Sequence, residues 1–141
     1  MLVLTQVLLT IVTLGYSFIP AIADFNKTHA TNPLWLPHAR FHVVWQVCSY
    51  LCYGVIALGL IWAPGPAVIE RLWLAAVLAA SAYAGFFAAT FSKPLYGGAN
   101  YDANGVLPIK TSFGIELDLN VLVFTIMAVL LAGAEIGRAH V

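Results

Sequence analysis

Four long apolar runs limit what this sequence can fold into. Each contains about 20 mostly apolar residues, the length that an α-helix needs to cross the hydrocarbon layer of a membrane. The runs cover residues 1–23, 41–63, 67–91 and 115–136. They occupy most of the 141 residues and leave no room for a separate soluble domain. We therefore predict a single four-span membrane domain over residues 1–141.

The composition also favours lipid over water as the surroundings of the chain. Hydrophobic residues make up 62% of the sequence and charged residues 9%, whereas soluble domains carry about 25% charged residues. Six basic residues balance six acidic ones, so the basic excess of a nucleic-acid-binding protein is missing. We expect the lipid bilayer as a partner and no nucleic acid.

The connections between the runs predict how the helices are arranged. Pro64-Gly65-Pro66 separates the second and third runs by a short turn, because proline stops one helix and can start the next. Residues 24–40 and 92–114 form two long loops. The fold class is therefore an all-α, integral membrane, four-helix antiparallel bundle with both long loops on one face. Four of the six basic residues lie on that face, and the positive-inside rule places it in the cytoplasm.

The first run has a second interpretation as a signal peptide. Ala21-Ile22-Ala23 before Asp24 has small residues at its first and third positions, as a signal-peptidase site does. No Lys or Arg precedes the apolar run, so the basic region of a signal peptide is missing. We expect the run to be retained as a span.

Two cysteines, Cys48 and Cys52, lie four residues apart in the second run. They are too few for a disulfide framework. Free cysteine usually behaves as a small buried residue, so we expect both in the core.

Polar residues are concentrated in the first long loop and at the start of the second run. Three of the four histidines fall within 14 residues there, and ionisable groups near or inside a membrane indicate a functional site. His38 and His42 are four residues apart, so on a helix that starts near Pro37 they share one face. The same face continues through Gln46, Ser49, Tyr50 and Tyr53.

The other runs also carry polar residues. The first run has a stripe of Gln6, Thr10, Thr13 and Ser17, for which we favour simple hydrogen bonding between helices. The fourth run opens with Glu116 and Asp118, and Glu116 shares a helical face with Asn120. We expect the stripes to converge on a polar cavity open to the long-loop face.

From these positions we assign candidate roles. Catalytic acid–base or ligand roles are expected for Asp24, His38, His42 and Glu116. Orientation of these groups or of the substrate is expected for Asn26, His29, Arg40, Gln46, Tyr101 and Asp118.

The chemistry of the site stays open at this level. His38 and His42 suit a single metal ion if a further ligand comes from elsewhere in the chain. A single histidine can instead bind haem iron. A third alternative needs no cofactor, because a carboxylate and a histidine can move a proton on and off a substrate.

The length, the four spans and the Ala39-Arg40-Phe41-His42 entry to the second span resemble the small membrane isomerases typified by styrene oxide isomerase. That family opens epoxides to carbonyl compounds and binds haem b through a histidine near the start of its second helix. The resemblance implies that His42 binds the iron, with His38 as the alternative.

We therefore predict a membrane enzyme of isomerase or cyclase type. It would act on a small lipophilic substrate in the polar cavity, by acid–base or cofactor-assisted chemistry. The alternative is a non-catalytic membrane subunit or scaffold of a larger complex, favoured by small residues that permit close helix contacts. These are Gly54, Gly59, Ala75, Ala79, Ala82 and Gly85. We also expect a homo-oligomer, because four short helices enclose little volume.

Overall fold

The structure, a computed structural model, describes residues 1–140 and consists mainly of helices. Its elements are α1 (Leu2–Tyr16), α2 (Phe18–Asp24), α3 (Pro37–Trp62), α4 (Val68–Tyr96), β1 (Ile109–Lys110), β2 (Glu116–Leu117) and α5 (Leu119–Arg138). Within the described residues, four helical segments are long and apolar enough to cross a membrane. They are Leu2–Asp24, Pro37–Trp62, Val68–Tyr96 and Leu119–Arg138. The prediction of four such helices is confirmed.

The first segment is divided into α1 and α2 at Ser17. Pro20 lacks an N–H, and its ring clashes with the carbonyl of the residue four positions earlier, which is Tyr16. The regular helix therefore ends at Tyr16, and Ser17 connects the two helices with φ −113° and ψ −74°. The Ser17 hydroxyl donates to the Thr13 carbonyl at 2.5 Å.

The start of the last helix corrects the sequence prediction. Glu116 lies on β2, where it pairs with Lys110 of β1 in a short antiparallel ladder. Because α5 begins only at Leu119, Glu116 and Asn120 do not share a helical face. The all-α prediction therefore has a two-stranded exception in the second long loop.

The bundle is centred on α1, which contacts α3, α4 and α5. Alanines of α4, among them Ala75, Ala79 and Ala82, are buried in the core and let the neighbouring helices approach closely. Gly54 has the same function in α3, because an added Cβ would lie 2.5 Å from the Ser17 hydroxyl oxygen. Gly59 and Gly85 face open space, so the small-residue prediction holds for only part of the set.

The polar stripe of α1 is used for contacts between helices. Gln6 donates to the Ile61 carbonyl at 2.8 Å, and the Trp62 indole donates to the Thr10 hydroxyl at 2.9 Å. Such bonds connect the start of α1 with the end of α3. For Gln6 and Thr10 they agree with the structural interpretation of this stripe. The Thr13 hydroxyl has no hydrogen-bond partner among residues 1–140, and Ser17 bonds within its own segment.

The outward face of α3 carries the residues that were expected inside. The buried residues of α3 are Val47, Gly54, Ala57 and Ile61. Cys48 and Cys52 are exposed, so the prediction that they lie in the core is wrong for the single chain. The physical reason is their position on the side of α3 opposite the stripe that packs on α1 and α4.

Candidate functional site

The two long loops are joined by a pair of asparagines. The side-chain amide of Asn32 donates to Oδ1 of Asn104, and the amide of Asn104 donates back to Oδ1 of Asn32, both at 3.1 Å. Asn32 is fully buried, and it also donates to the Thr28 carbonyl and accepts from the Leu34 amide, each at 3.0 Å. All four hydrogen-bonding positions of this amide are therefore used.

A second bond joins the loops next to this pair. The indole N–H of Trp35 donates to Oδ2 of Asp102 at 2.9 Å, while Oδ1 of Asp102 accepts from the backbone amide of Asn104. The Trp35 bond, with a smaller contribution from the Asn104 amide, lowers the pKa of the Asp102 carboxyl below its ordinary value. Asp102 is therefore ionised at neutral pH. We call these four residues, Asn32, Trp35, Asp102 and Asn104, the loop clasp.

His29 is held by its own loop on one side of its ring. The Thr28 hydroxyl donates to Oδ1 of Asn26 at 2.7 Å, so it accepts a hydrogen bond from Nδ1 of His29, also at 2.7 Å. The Asp24 carboxylate lies 3.6 Å from the same nitrogen, and the Trp35 ring meets the imidazole edge-on at 5.4 Å. Within residues 1–140 the hydrogen bonds leave Nε2 of His29 without a protein partner.

His38 and His42 form a separate pair at the start of α3. Their Nε2 atoms are 3.1 Å apart, and the ring of His38 stacks on Phe41 while that of His42 lies beside Trp45. All four side chains are exposed, and so is Gln46 below them. In the single chain His38, His42 and Gln46 face outward, not into the bundle, which corrects the predicted convergence on an interior cavity. Of the same stripe, Tyr50 is partly buried and meets the Tyr16 ring edge-on. In residues 1–140 no group of three or more His, Cys, Asp or Glu side chains is close enough to hold a metal ion.

The histidine pair does not fit a haem bound at His42. A haem iron lies about 2 Å from its axial nitrogen, a bond length typical of histidine on a transition metal, and the porphyrin extends sideways from there. Nε2 of His38 stands 3.1 Å from Nε2 of His42, in the space that the porphyrin would need. The pair suits a small ion better than a flat macrocycle, and we assign no step to haem.

The remaining predicted residues lie elsewhere. Glu116 is 3.4 Å from Lys110 in an exposed ion pair, and Asp118 caps α5 by accepting from the Val121 amide at 3.0 Å. Arg40 is partly exposed at the start of α3, and Tyr101 is exposed beside the loop clasp. The predicted catalytic set is therefore divided between three places: Asp24 with His29, His38 with His42, and Glu116 with Lys110.

A groove lies at the opposite end of the bundle from the long loops. It has a volume of about 390 Å³ and is lined by Ile69, Glu70, Trp73, Leu74 and Arg138. Arg138 is neutralised there by Glu135, at 2.8 Å. None of the predicted site residues contributes to this groove.

Sequence reasoning missed the loop clasp. Its bonds join residues 67 and 72 positions apart, and loop residues have no periodicity that would indicate such contacts. The one local feature that could have indicated these residues is a turn after each of Asn32 and Asp102. In each turn the side chain accepts a hydrogen bond from the backbone amide two residues further on. This is the usual behaviour of Asn and Asp in turns.

Comparison with protein-family models, curated proteins and solved structures finds no match for this chain. Over residues 1–140 the structure defines the class at a coarse level, as a helical protein with four helices long and apolar enough to cross a membrane.

Proposed function

We propose that the protein is an integral membrane enzyme of isomerase or cyclase type, with Asp24 and His29 as its acid–base pair. The observation that carries the proposal is the fixed ring of His29. Its Nδ1 is bound to Thr28 at 2.7 Å and lies 3.6 Å from the Asp24 carboxylate, and Nε2 has no hydrogen-bond partner among residues 1–140. A histidine oriented through one nitrogen by a hydroxyl and a carboxylate is ready to accept a proton at the other.

In the proposed reaction Nε2 of His29 takes a proton from one carbon of the substrate. The positive imidazolium that results is stabilised by the Asp24 carboxylate beside Nδ1. The same proton is returned to another carbon of the same molecule, so the product is an isomer and His29 is restored. No oxidant, reductant or second substrate is consumed.

The substrate that suits this site is small and lipophilic. The loop around His29 exposes Leu34 and Leu36, with exposed fractions of 75% and 76%. Large apolar side chains on a loop that follows a membrane-length helix favour contact with the lipid boundary. We therefore propose that the substrate reaches the loop of His29 from the bilayer.

We also propose that the long loops face the cytoplasm, as the positive-inside rule implies. An N-glycosylation acceptor inserted between residues 98 and 106 should remain unmodified in microsomes on this topology. Glycosylation of that site would show that the long loops face the lumen, and it would contradict the proposed orientation.

Two measurements test the acid–base proposal, and neither requires an identified substrate. Lipid extracts of cells that express the wild type should contain pairs of isomers whose ratio differs from extracts with His29→Gln or Asp24→Asn. His140→Ala, which changes an exposed histidine outside the site, is the matched control and should behave as the wild type. Identical extracts from the wild type and His29→Gln would contradict an enzymatic role of this pair.

The second measurement examines the ring itself. Nitrogen-15 NMR of labelled protein should show His29 with its proton on Nδ1 and with Nε2 unprotonated at alkaline pH. A proton on Nε2 would mean that the hydrogen-bond arrangement on which the proposal rests is wrong.

The second candidate function is that of a non-catalytic subunit of a larger membrane complex. It is favoured by the outward face of α3, where His38, His42 and Gln46 are exposed although polar side chains are costly against lipid. On this interpretation the face is covered by another protein. Unchanged lipid extracts together with a stoichiometric partner of different sequence in the purified complex would favour it over the enzyme.

A further inference from the structure

We propose that two copies of this chain bind one divalent transition-metal ion between them, through His38 and His42 of each copy. The proposal uses the membrane insertion of the proposed function but not its acid–base chemistry. The two ideas can therefore fail independently.

The distance between the two ring nitrogens matches the separation of two neighbouring ligands on a metal ion. For metal–nitrogen bonds of about 2.0–2.1 Å, two ligands are separated by about 2.9 Å at a right angle and by about 3.3 Å in a tetrahedron. The Nε2 atoms of His38 and His42 are 3.1 Å apart. One helix thus holds both nitrogens at the separation that an ion would require. In the single chain the two nitrogens share a hydrogen bond, so an ion would replace that bond and both rings would turn toward it.

The chain supplies only half of a closed coordination shell. Structural sites for zinc usually have four protein ligands, and within residues 1–140 no third His, Cys, Asp or Glu stands close to the pair. Imidazole suits zinc, cobalt, nickel and copper and not calcium or magnesium. Two further imidazoles of the same kind would complete a tetrahedral site.

A second copy of the chain can supply them because of the symmetry that a membrane imposes. Copies inserted with the same topology are related by a two-fold axis along the membrane normal, so identical residues lie at identical depth. In such an interface the same surface meets itself. The pair on one copy therefore faces the pair on the other without any adjustment in height.

The surface around the pair fits this arrangement. His38, His42, Trp45 and Cys52 follow the spacing of one helical stripe, and all are exposed in the single chain. Trp45 is 59% exposed and Phe41, beside it, is 60% exposed. A second copy would cover these rings and would remove the histidines from lipid.

The first test measures metal content and size together. Protein purified without a histidine tag is treated with chelator, loaded with Zn²⁺ and freed of excess metal. We expect one zinc ion per two chains and a dimer by light scattering, and we expect a monomer after chelation. His38→Ala and His42→Ala should each lose the zinc and the dimer, whereas His140→Ala should keep both.

Cobalt gives an independent readout of the ligands. Co²⁺ in a tetrahedral site of four imidazoles produces an intense visible absorption, whereas a site completed by water is octahedral and nearly colourless. We expect the intense band at one cobalt per two chains. One ion per monomer, or zinc retained by His38→Ala, would overturn the proposal, and so would the absence of bound metal.

Cross-linking in native membranes tests the interface with both histidines intact. Cys52 lies on the same stripe of α3 as the pair, so a short bis-maleimide should join Cys52 of two copies when Cys48 is replaced by Ala. Chelator should reduce the yield and Zn²⁺ should restore it. The Cys52→Ala protein, with Cys48 retained, should cross-link less, and equal yields with and without metal would contradict the metal-bridged dimer.

Discussion

Replacement of Asn104 by Ala is expected to loosen the contact between the two long loops. The substitution removes two hydrogen bonds to Asn32, each 3.1 Å long. A hydrogen bond between neutral groups contributes about 0.5–1.5 kcal/mol net, so the two together predict a loss of about 1–3 kcal/mol. Since 1.4 kcal/mol corresponds to a factor of ten, the open state of the loop should become about 5 to 140 times more populated.

Hydrogen exchange at the Leu34 amide measures this opening directly. That amide is bonded to Oδ1 of Asn32, which remains in Asn104→Ala but loses its support from the other loop. Exchange at Leu34 should accelerate by the predicted factor. Asn120→Ala is the matched control, because it removes a single bond from an asparagine to the Asn100 carbonyl in the same long loop. Equal exchange at Leu34 in the wild type and Asn104→Ala would show that the clasp does not hold the loops together.

Two further predictions concern the pH dependence of the clasp and the packing of α3. The pKa of Asp102 is lowered mainly by the Trp35 bond, so the ionised form stabilises the loop contact at pH values above the ordinary aspartate pKa. This stabilisation is lost as the pH falls through the lowered pKa of Asp102 in the folded state. The difference in fluorescence between the wild type and Trp35→Phe should therefore change in that acidic range. The fluorescence of Asp102→Asn should not change there. Gly54→Val should lower the thermal midpoint, because its Cβ meets Ser17 at 2.5 Å and overpacking costs about 1–3 kcal/mol. Gly59→Val, which adds a side chain in open space, should leave the midpoint nearly unchanged.

The helices of this protein could be predicted from sequence because hydropathy acts over whole segments. The first run shows what this signal cannot resolve. Its apolar character continues through residues 1–23, so hydropathy alone gives one span. The break at Ser17 depends on the missing N–H of Pro20, a local backbone effect to which hydropathy is insensitive.

The direction of polar faces was less predictable than the position of helices. The sequence shows that His38 and His42 share a face, but in a membrane either the interior or the outside of a bundle can bury that face, the latter through another chain. In the structure the buried residues of α3 are Val47, Gly54, Ala57 and Ile61. They lie on the other side of the helix from His38 and His42, so both histidines face outward.

The clasp gives a physical reason to separate His29 from the other histidines. His29 is fixed by its neighbours Thr28 and Asp24 and by the Trp35 ring, and Trp35 is itself tied to Asp102 across the loops. A ring restrained on one side, with its second nitrogen free, is suited to repeated proton transfer.

His38 and His42 hold each other on a regular helix and lack any carboxylate within ion-pair distance among the described residues. Two nitrogens at a fixed separation suit an ion that stays bound, not a proton that leaves. We therefore expect different chemistry at the two sites. His29→Gln should abolish isomer formation while leaving zinc and the dimer in place, and His38→Ala should remove zinc and the dimer while leaving the His29 ring in its Nδ1-protonated form.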